Sequence, residues 1–161
     1  MTHKLPEKGS RMLRKGRVSW PGCYYFVSSA KAEAAPMLDN KPCFEIIRCE
    51  VCRLEKEKLW ECLALVLMPD HLHMVVRLGQ GTDLSRVMDL FKGRTSRQIN
   101  RTKNTQGRVW FRGFHDHLIR PDQPIPNFLD YILRNPTHAH LAKISSDYPY
   151  LFVKEKAFNL V

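Results

Sequence analysis

The stretch from Cys62 to Leu78, Cys-Leu-Ala-Leu-Val-Leu-Met-Pro-Asp-His-Leu-His-Met-Val-Val-Arg-Leu, constrains the chain more than any other. Its first half is a nearly unbroken apolar run, the pattern of a strand covered on both faces. Pro69 cannot donate to a ladder and Asp70 readily bonds its own backbone, so these two residues predict a tight turn into a second strand. Strand side chains alternate with a period of two, which puts Leu72, Met74, Val76 and Leu78 on one face and His71, His73, Val75 and Arg77 on the other. The first face is expected in the core and the second outside it. Two imidazoles on one side of a stiff strand can converge on a divalent cation or a phosphate, which makes His71 and His73 candidate ligands. The triplet equally suits histidines that hydrogen-bond at a sheet edge, and a third ligand has to come from elsewhere.

The flanking periodicities supply the remaining elements. Tyr24-Tyr25-Phe26-Val27-Ser28-Ser29 is aromatic and β-branched, a first strand. Asn40 as N-cap and Pro42 in the first turn open a helix with the stripe Phe44, Ile47, Val51 and Leu54. Two strands follow at about 59–68 and 71–78. Thr82 and Asp83 then start a helix whose buried stripe is Leu84, Val87, Met88, Phe91 and Ile99. Phe114 to Ile119 reads as a further strand, carrying a second His-x-His at His115 and His117 around Asp116. The polar centre suits an edge strand, and these two histidines rank below the first pair, as structural or nucleic-acid-contacting residues. Pro124 and Pro126 introduce a last helix with Ile125, Phe128, Leu129, Ile132 and Leu133 on its buried side. Tyr131 and Asn135, at i and i+4, share a different, outward face, and Pro136 predicts an end or a kink at Asn135. The segment with Tyr148, Pro149 and Tyr150 reads as irregular packing, and no internal repeat is present. Strand, helix, strand, strand, helix, strand, helix is an α+β order, that of a ferredoxin-like antiparallel sheet with helices packed on it.

A chain of 161 residues supports one domain, here residues 21–161, preceded by a basic arm over 1–20. Lys and Arg number 26 against 16 Asp and Glu, a net charge of +10 that favours a polyanionic partner such as nucleic acid. The arm holds Lys4, Lys8, Arg11, Arg14, Lys15 and Arg17 against one acid, Glu7. A second basic run, 92–112, has seven Lys and Arg and no acid, and ends near Trp110 and Phe111, a mixture suited to single-stranded nucleic acid. Trp20, Trp110 and Phe111 are candidates for base stacking. The five cysteines are odd in number and scattered, so reduced thiols are expected. Cys49 and Cys52 have no partner pair at zinc-finger spacing and are assigned to helix packing instead. There is no apolar signal core and no run long enough to span a bilayer, so the expected setting is the cytoplasm, close to the nucleoid, with no membrane partner.

Several of these pieces recur together in one known family. Arg14-Lys15-Gly16-Arg17-Val18-Ser19, Leu67-Met68-Pro69-Asp70-His71-Leu72-His73, Leu84-Ser85-Arg86-Val87-Met88 with Phe91-Lys92, Val109-Trp110-Phe111 with Arg120, and Tyr131-Ile132-Leu133-Arg134-Asn135-Pro136 appear in order over about residues 17–150. In this the chain resembles the single-tyrosine HUH transposases of the REP-associated subgroup. The resemblance implies the HUH endonuclease fold, with Tyr131 as nucleophile and His71, His73 and Asn135 holding Mg²⁺ or Mn²⁺. It implies cleavage and rejoining of single-stranded DNA at REP-type hairpins through a 5′-phosphotyrosine, by a monomer or a homodimer. A tyrosine hydroxyl titrates near 10 and needs such help to attack a phosphodiester. DNA-binding cations are expected at Arg11, Arg14, Lys15 and Arg17, the arm reading unpaired nucleotides, and at Lys92, Arg94, Arg97, Arg101, Arg108 and Arg112. The chain departs from the family after Pro136, where Thr137-His138-Ala139-His140-Leu141 replaces a Val, a small residue and Gly-Leu; this touches only the packing at the helix's C-terminal end.

Two other readings stay open on the residues. One is a non-catalytic hairpin-binding protein derived from a transposase, which the retention of Tyr131 and both histidines disfavours. The other is a metal-dependent hydrolase using His71, His73 and His115 or His117, which leaves Tyr131 without a role.

Overall fold

The computed structural model describes residues 18–159. In chain order the elements are β1 (Tyr24–Ala30), α1 (Lys41–Lys56), β2 (Trp60–Leu67), β3 (His71–Leu78), α2 (Leu84–Lys103), β4 (His115–Ile119), α3 (Ile125–His138) and β5 (Leu151–Val153), with short 3₁₀ turns at Ser145–Asp147 and Glu155–Asn159. The sheet runs β4-β1-β3-β2-β5, and every pairing is antiparallel. Its first four strands have the ferredoxin-like order expected, with β4 at an edge.

Local chemistry sets the helix starts as anticipated. The Asn40 side chain accepts from the Cys43 amide at 3.1 Å, and Asp83 accepts from Arg86 at 2.8 Å, each meeting an N–H that has no intrahelical partner. α3 lacks a side-chain cap and begins on prolines instead. It also runs through Pro136 rather than ending at Asn135. Only proline's own N–H is missing; the Asn135 and Pro136 carbonyls accept from Ala139 and Leu141, and the ring is buried.

Both faces of the sheet are covered. α1 and α2 lie on one face, where Ile47, Val51, Leu54, Val87 and Phe91 meet Val27, Leu65, Met74 and Val76. α3 and the C-terminal segment lie on the other, where Leu129, Ile132 and Tyr148 meet Leu63, Val66 and Val75. The expectation that the His71–Arg77 side of β3 would be free of core is therefore corrected, because α3 roofs Val75 and leaves only part of that face open. The tail departs from the expectation of irregular packing: β5 pairs with β2 over three residues, and Tyr148 Oη donates to the Leu67 carbonyl at 2.7 Å. Cys49 and Cys52 do not pack inside the helix; they are free thiols exposed on α1.

Candidate active site

The site stands on the α3 side of β1, β3 and β4. Ser28 is paired in register with His73 on β3 and with His115 on β4, Ala30 with His71, and Phe26 with His117. Paired residues share a face, so both His-x-His pairs look the same way, separated by β1. His73 is nearly buried, at 9% exposure. Its ring stacks on Phe26 with centroids 5.3 Å apart, and meets His71 at 4.6 Å and Tyr131 at 5.5 Å, both edge to face. His73 Nδ1 lies 2.5 Å from Ser28 Oγ, and His71 Nδ1 lies 2.6 Å from the Asp70 carboxylate. Burial, followed by the neighbouring His71, pushes His73 down to about 3 against the opposing pull of Asp70. It is thus neutral near pH 7, the form in which imidazole binds metal.

Tyr131 arrives from the other layer. Leu129 and Ile132 anchor α3 in the core, and the helical turn between them swings Tyr131 toward the sheet edge of the roof, where it is 44% exposed. Its ring meets the edge of Phe26 at 5.5 Å as well as that of His73. The residue expected to point outward therefore borders the histidines. Asn135 follows one turn later and is half-buried. Among the described residues no cluster of three His, Cys, Asp or Glu could hold a metal. Asn135, the amide expected beside the two imidazoles, stands on α3 one turn past Tyr131.

The competing histidines have other engagements. His117 Nε2 is 3.0 Å from Gln123 Oε1, and the ring stacks on Phe128 at 5.6 Å. His115 is half-buried beside Ser28. The basic run divides. Arg94 Nη1 bonds Glu50 and Glu57, each at 3.1 Å, and Lys92 Nζ donates to the Phe111 and Gly113 carbonyls at 2.6 Å. These two cations, expected as DNA contacts, are engaged with partners inside the protein. Arg97, Arg101, Arg108 and Arg112 are exposed. α2 runs back along the sheet so that its last turn reaches the His71 end, where Lys103 Nζ donates to the Met37 carbonyl and Leu38 N–H to that of Pro69. Trp110 is corrected from platform to core: it is buried, and its indole donates to Thr95 Oγ1 at 2.9 Å. Phe111 alternates to the opposite side, donating its N–H to Ala30, the partner of His71, and is 51% exposed. Trp20 is exposed and lines a hollow of about 320 Å³ with Tyr25, Asp116 and Arg120. A second hollow, of about 500 Å³, lies on the outer side of α2. Neither is lined by His73 or Tyr131. Arg11, Arg14, Lys15 and Arg17 lie outside the described residues.

Residues 22–135 match the family described as Transposase IS200 like. The chain belongs to that family. A protein of Haemophilus influenzae, provisionally described as a REP-associated tyrosine transposase, is 32% identical over 101 residues, 56% of this chain and 57% of its own length. The REP-associated tyrosine transposase of Escherichia coli K12 is 25% identical over 131 residues, 80% of this chain and 74% of its own length. The expected kinship with the REP-associated subgroup is thus borne out, although the alignment spans little more than half of the first relative. Among solved structures, a REP-associated tyrosine transposase bound to a REP hairpin superposes with a TM-score of 0.70 at 22% identity, covering 90% of this chain and 86% of that one. This supports the same fold. Sequence reading of this IS200-like transposase had missed Phe26 and Ser28, which touch His73 but carry no motif; only the β1–β3 register would have brought them to it.

Proposed function

We propose that this transposase cuts and rejoins single-stranded DNA at REP-type hairpins, with Tyr131 as nucleophile. The observation that carries the reading is the meeting of Tyr131 with His73, 58 residues earlier in the chain, at 5.5 Å between ring centroids. Tyr131 Oη bonds to phosphorus as it loses its proton, and the P–O3′ bond breaks. The strand leaves as a 3′-OH, with the 5′ phosphate held on the tyrosine. Because the new ester conserves the energy of the old bond, another 3′-OH can reverse the step without ATP.

The donor set fits Mg²⁺ or Mn²⁺: two imidazoles on one strand, each with Nδ1 already engaged, and an amide one helical turn from the nucleophile. Held by His71, His73 and Asn135, such an ion supplies Lewis-acid polarisation of the scissile phosphate and charge stabilisation in the transition state. The protein's own contribution is placement. Phe26 sets the spacing between Tyr131 and His73, and α3 keeps water from the inner half of the site. Phe111 offers an exposed ring for the base beside the cut, and the exposed Arg101, Arg108 and Arg112 offer charge for the phosphates. The Trp20 hollow suits an unpaired base. The hairpin as substrate rests on the similar transposase solved with one.

The test is incubation of the full chain with labelled REP-type hairpins from the source genome and Mn²⁺, followed by a denaturing gel. A protease-sensitive DNA–protein band is expected, absent in Tyr131→Phe, which still binds the hairpin. Adduct formation by Tyr131→Phe would overturn the nucleophile. Tight binding with no adduct from the native chain would favour the non-catalytic reading.

A further inference from the structure

Resting on the reading of His71 and His73 as ligands, we propose that Ser28 is a positioning residue for His73: its Oγ accepts the Nδ1 hydrogen, holds the ring in its Nδ1–H form, and leaves Nε2 bare toward Tyr131 and His71. The contact, at 2.5 Å, joins residues 45 apart in sequence. It does something the surrounding packing cannot. Stacking on Phe26 fixes the plane of the imidazole, but a flat ring turned over within that plane stacks equally well. The turned ring would set a carbon against Ser28 and a protonated or misplaced nitrogen toward the site. Only a directional partner distinguishes the two edges, and on the site face of β1 the neighbours at two residues either way are Phe26 and Ala30, which offer no polar side chain.

Burial gives the bond its weight. His73 sits among Phe26, Tyr131 and His71, and an Nδ1–H left there without an acceptor keeps its whole desolvation cost. The support is also rigid. Ser28 lies in β1 between β3 and β4, its register held on both sides, whereas the Asp70 that meets His71 stands on an exposed turn with its side chain 67% accessible. The two imidazoles are thus fixed by unlike means, and the inner one is the better fixed. Partners of this outer kind typically change metal affinity or activity 10–100-fold.

The experiment compares the native full chain, Ser28→Ala, Ser28→Thr and His73→Ala. Nitrogen chemical shifts of ¹⁵N-histidine protein, recorded without metal at neutral pH, report which ring nitrogen of His73 carries the proton. Electron paramagnetic resonance of free Mn²⁺ gives metal affinity, and hairpin binding in chelator serves as the control. Ser28→Ala should mix the two tautomers and weaken Mn²⁺ by roughly 10–100-fold, with metal-free hairpin binding unchanged. Ser28→Thr, which keeps the oxygen, should restore both. A native tautomer and native Mn²⁺ affinity in Ser28→Ala would overturn the proposal, as would a Ser28→Thr as impaired as Ser28→Ala. His73→Ala separates this from the underlying reading: if it binds Mn²⁺ like the native chain, the metal site itself is misplaced, whereas if it loses Mn²⁺ and Ser28→Ala does not, only the role of Ser28 fails.

Discussion

Replacing Arg94 by alanine should damage the fold more than the grip on DNA. The guanidinium reaches from α2 to Glu50 on α1 at 3.1 Å, and the side chains are 20% and 1% exposed. Glu50 is one of the few buried polar residues, set among Ile47, Val51 and Leu54. Taking away one partner of a buried ion pair costs about 3–5 kcal/mol, because the other charge remains without compensation. Water reaches part of Arg94, so the low end applies: about 3 kcal/mol, a factor of roughly 150 in the folding equilibrium. Urea unfolding followed by circular dichroism should show a midpoint lower by about 1–3 M, given slopes of about 1–3 kcal/mol/M. Arg97→Ala and Arg101→Ala, at exposed positions of the same helix, should each stay within about 0.5 kcal/mol of the native chain. Their loss should instead flatten the salt dependence of hairpin binding, by roughly 0.7 in slope for each single-strand phosphate contact. Replacing both Glu50 and Arg94 by leucine should recover most of the stability. If Arg94→Ala unfolds like Arg97→Ala while its salt slope falls, the ion pair is not structural and the arginine belongs to the DNA interface.

His73 gives the metal-free protein a pH dependence. It protonates near 6.5 when unfolded and only near 3 when folded, so the unfolded chain binds more protons between these values and stability falls as pH drops through that window. The loss at about pH 5 should be about 2 kcal/mol by urea unfolding, and His73→Gln should lack it; equal pH profiles for the two proteins would show that the buried imidazole titrates normally. Phe111→Ala should weaken single-stranded DNA flanking the hairpin by about 1–3 kcal/mol without changing stability, as measured by fluorescence anisotropy. Unchanged affinity would remove Phe111 from the interface.

The parts of this architecture that were legible are those whose signal is local. Alternation through His71–Leu78, the caps at Asn40 and Asp83, and the stripe on α3 each follow from residues within a few positions of one another. Order then yields topology, since short connections between antiparallel strands leave few alternatives. What was illegible depends on partners far away. Arg94 looks like any residue of a basic run until α1 brings Glu50 to it, and Trp110 resembles Phe111 until one is turned toward Thr95 and the other away. β5 has three residues, too short for periodicity to register. Tyr131, expected on an outward face, borders His73 instead, because a helical wheel shows what shares a face and not what stands opposite it.

Phe26 touches His73, Tyr131 and Phe128 at once, with centroids at 5.3, 5.5 and 5.9 Å, and so serves as a shared wall on which both Tyr131 and the histidine beside it rest. A lineage could therefore lose strand cleavage without losing any residue that a motif search inspects. A smaller side chain at position 26 would take away the surface against which the imidazole and the phenol both pack, while the His-Leu-His and the Tyr-x-x-x-Asn remained intact to the eye. Conversely, a substitution at Phe128 or Tyr131 would be tolerated differently according to what occupies position 26, so the history of these three positions should be read jointly.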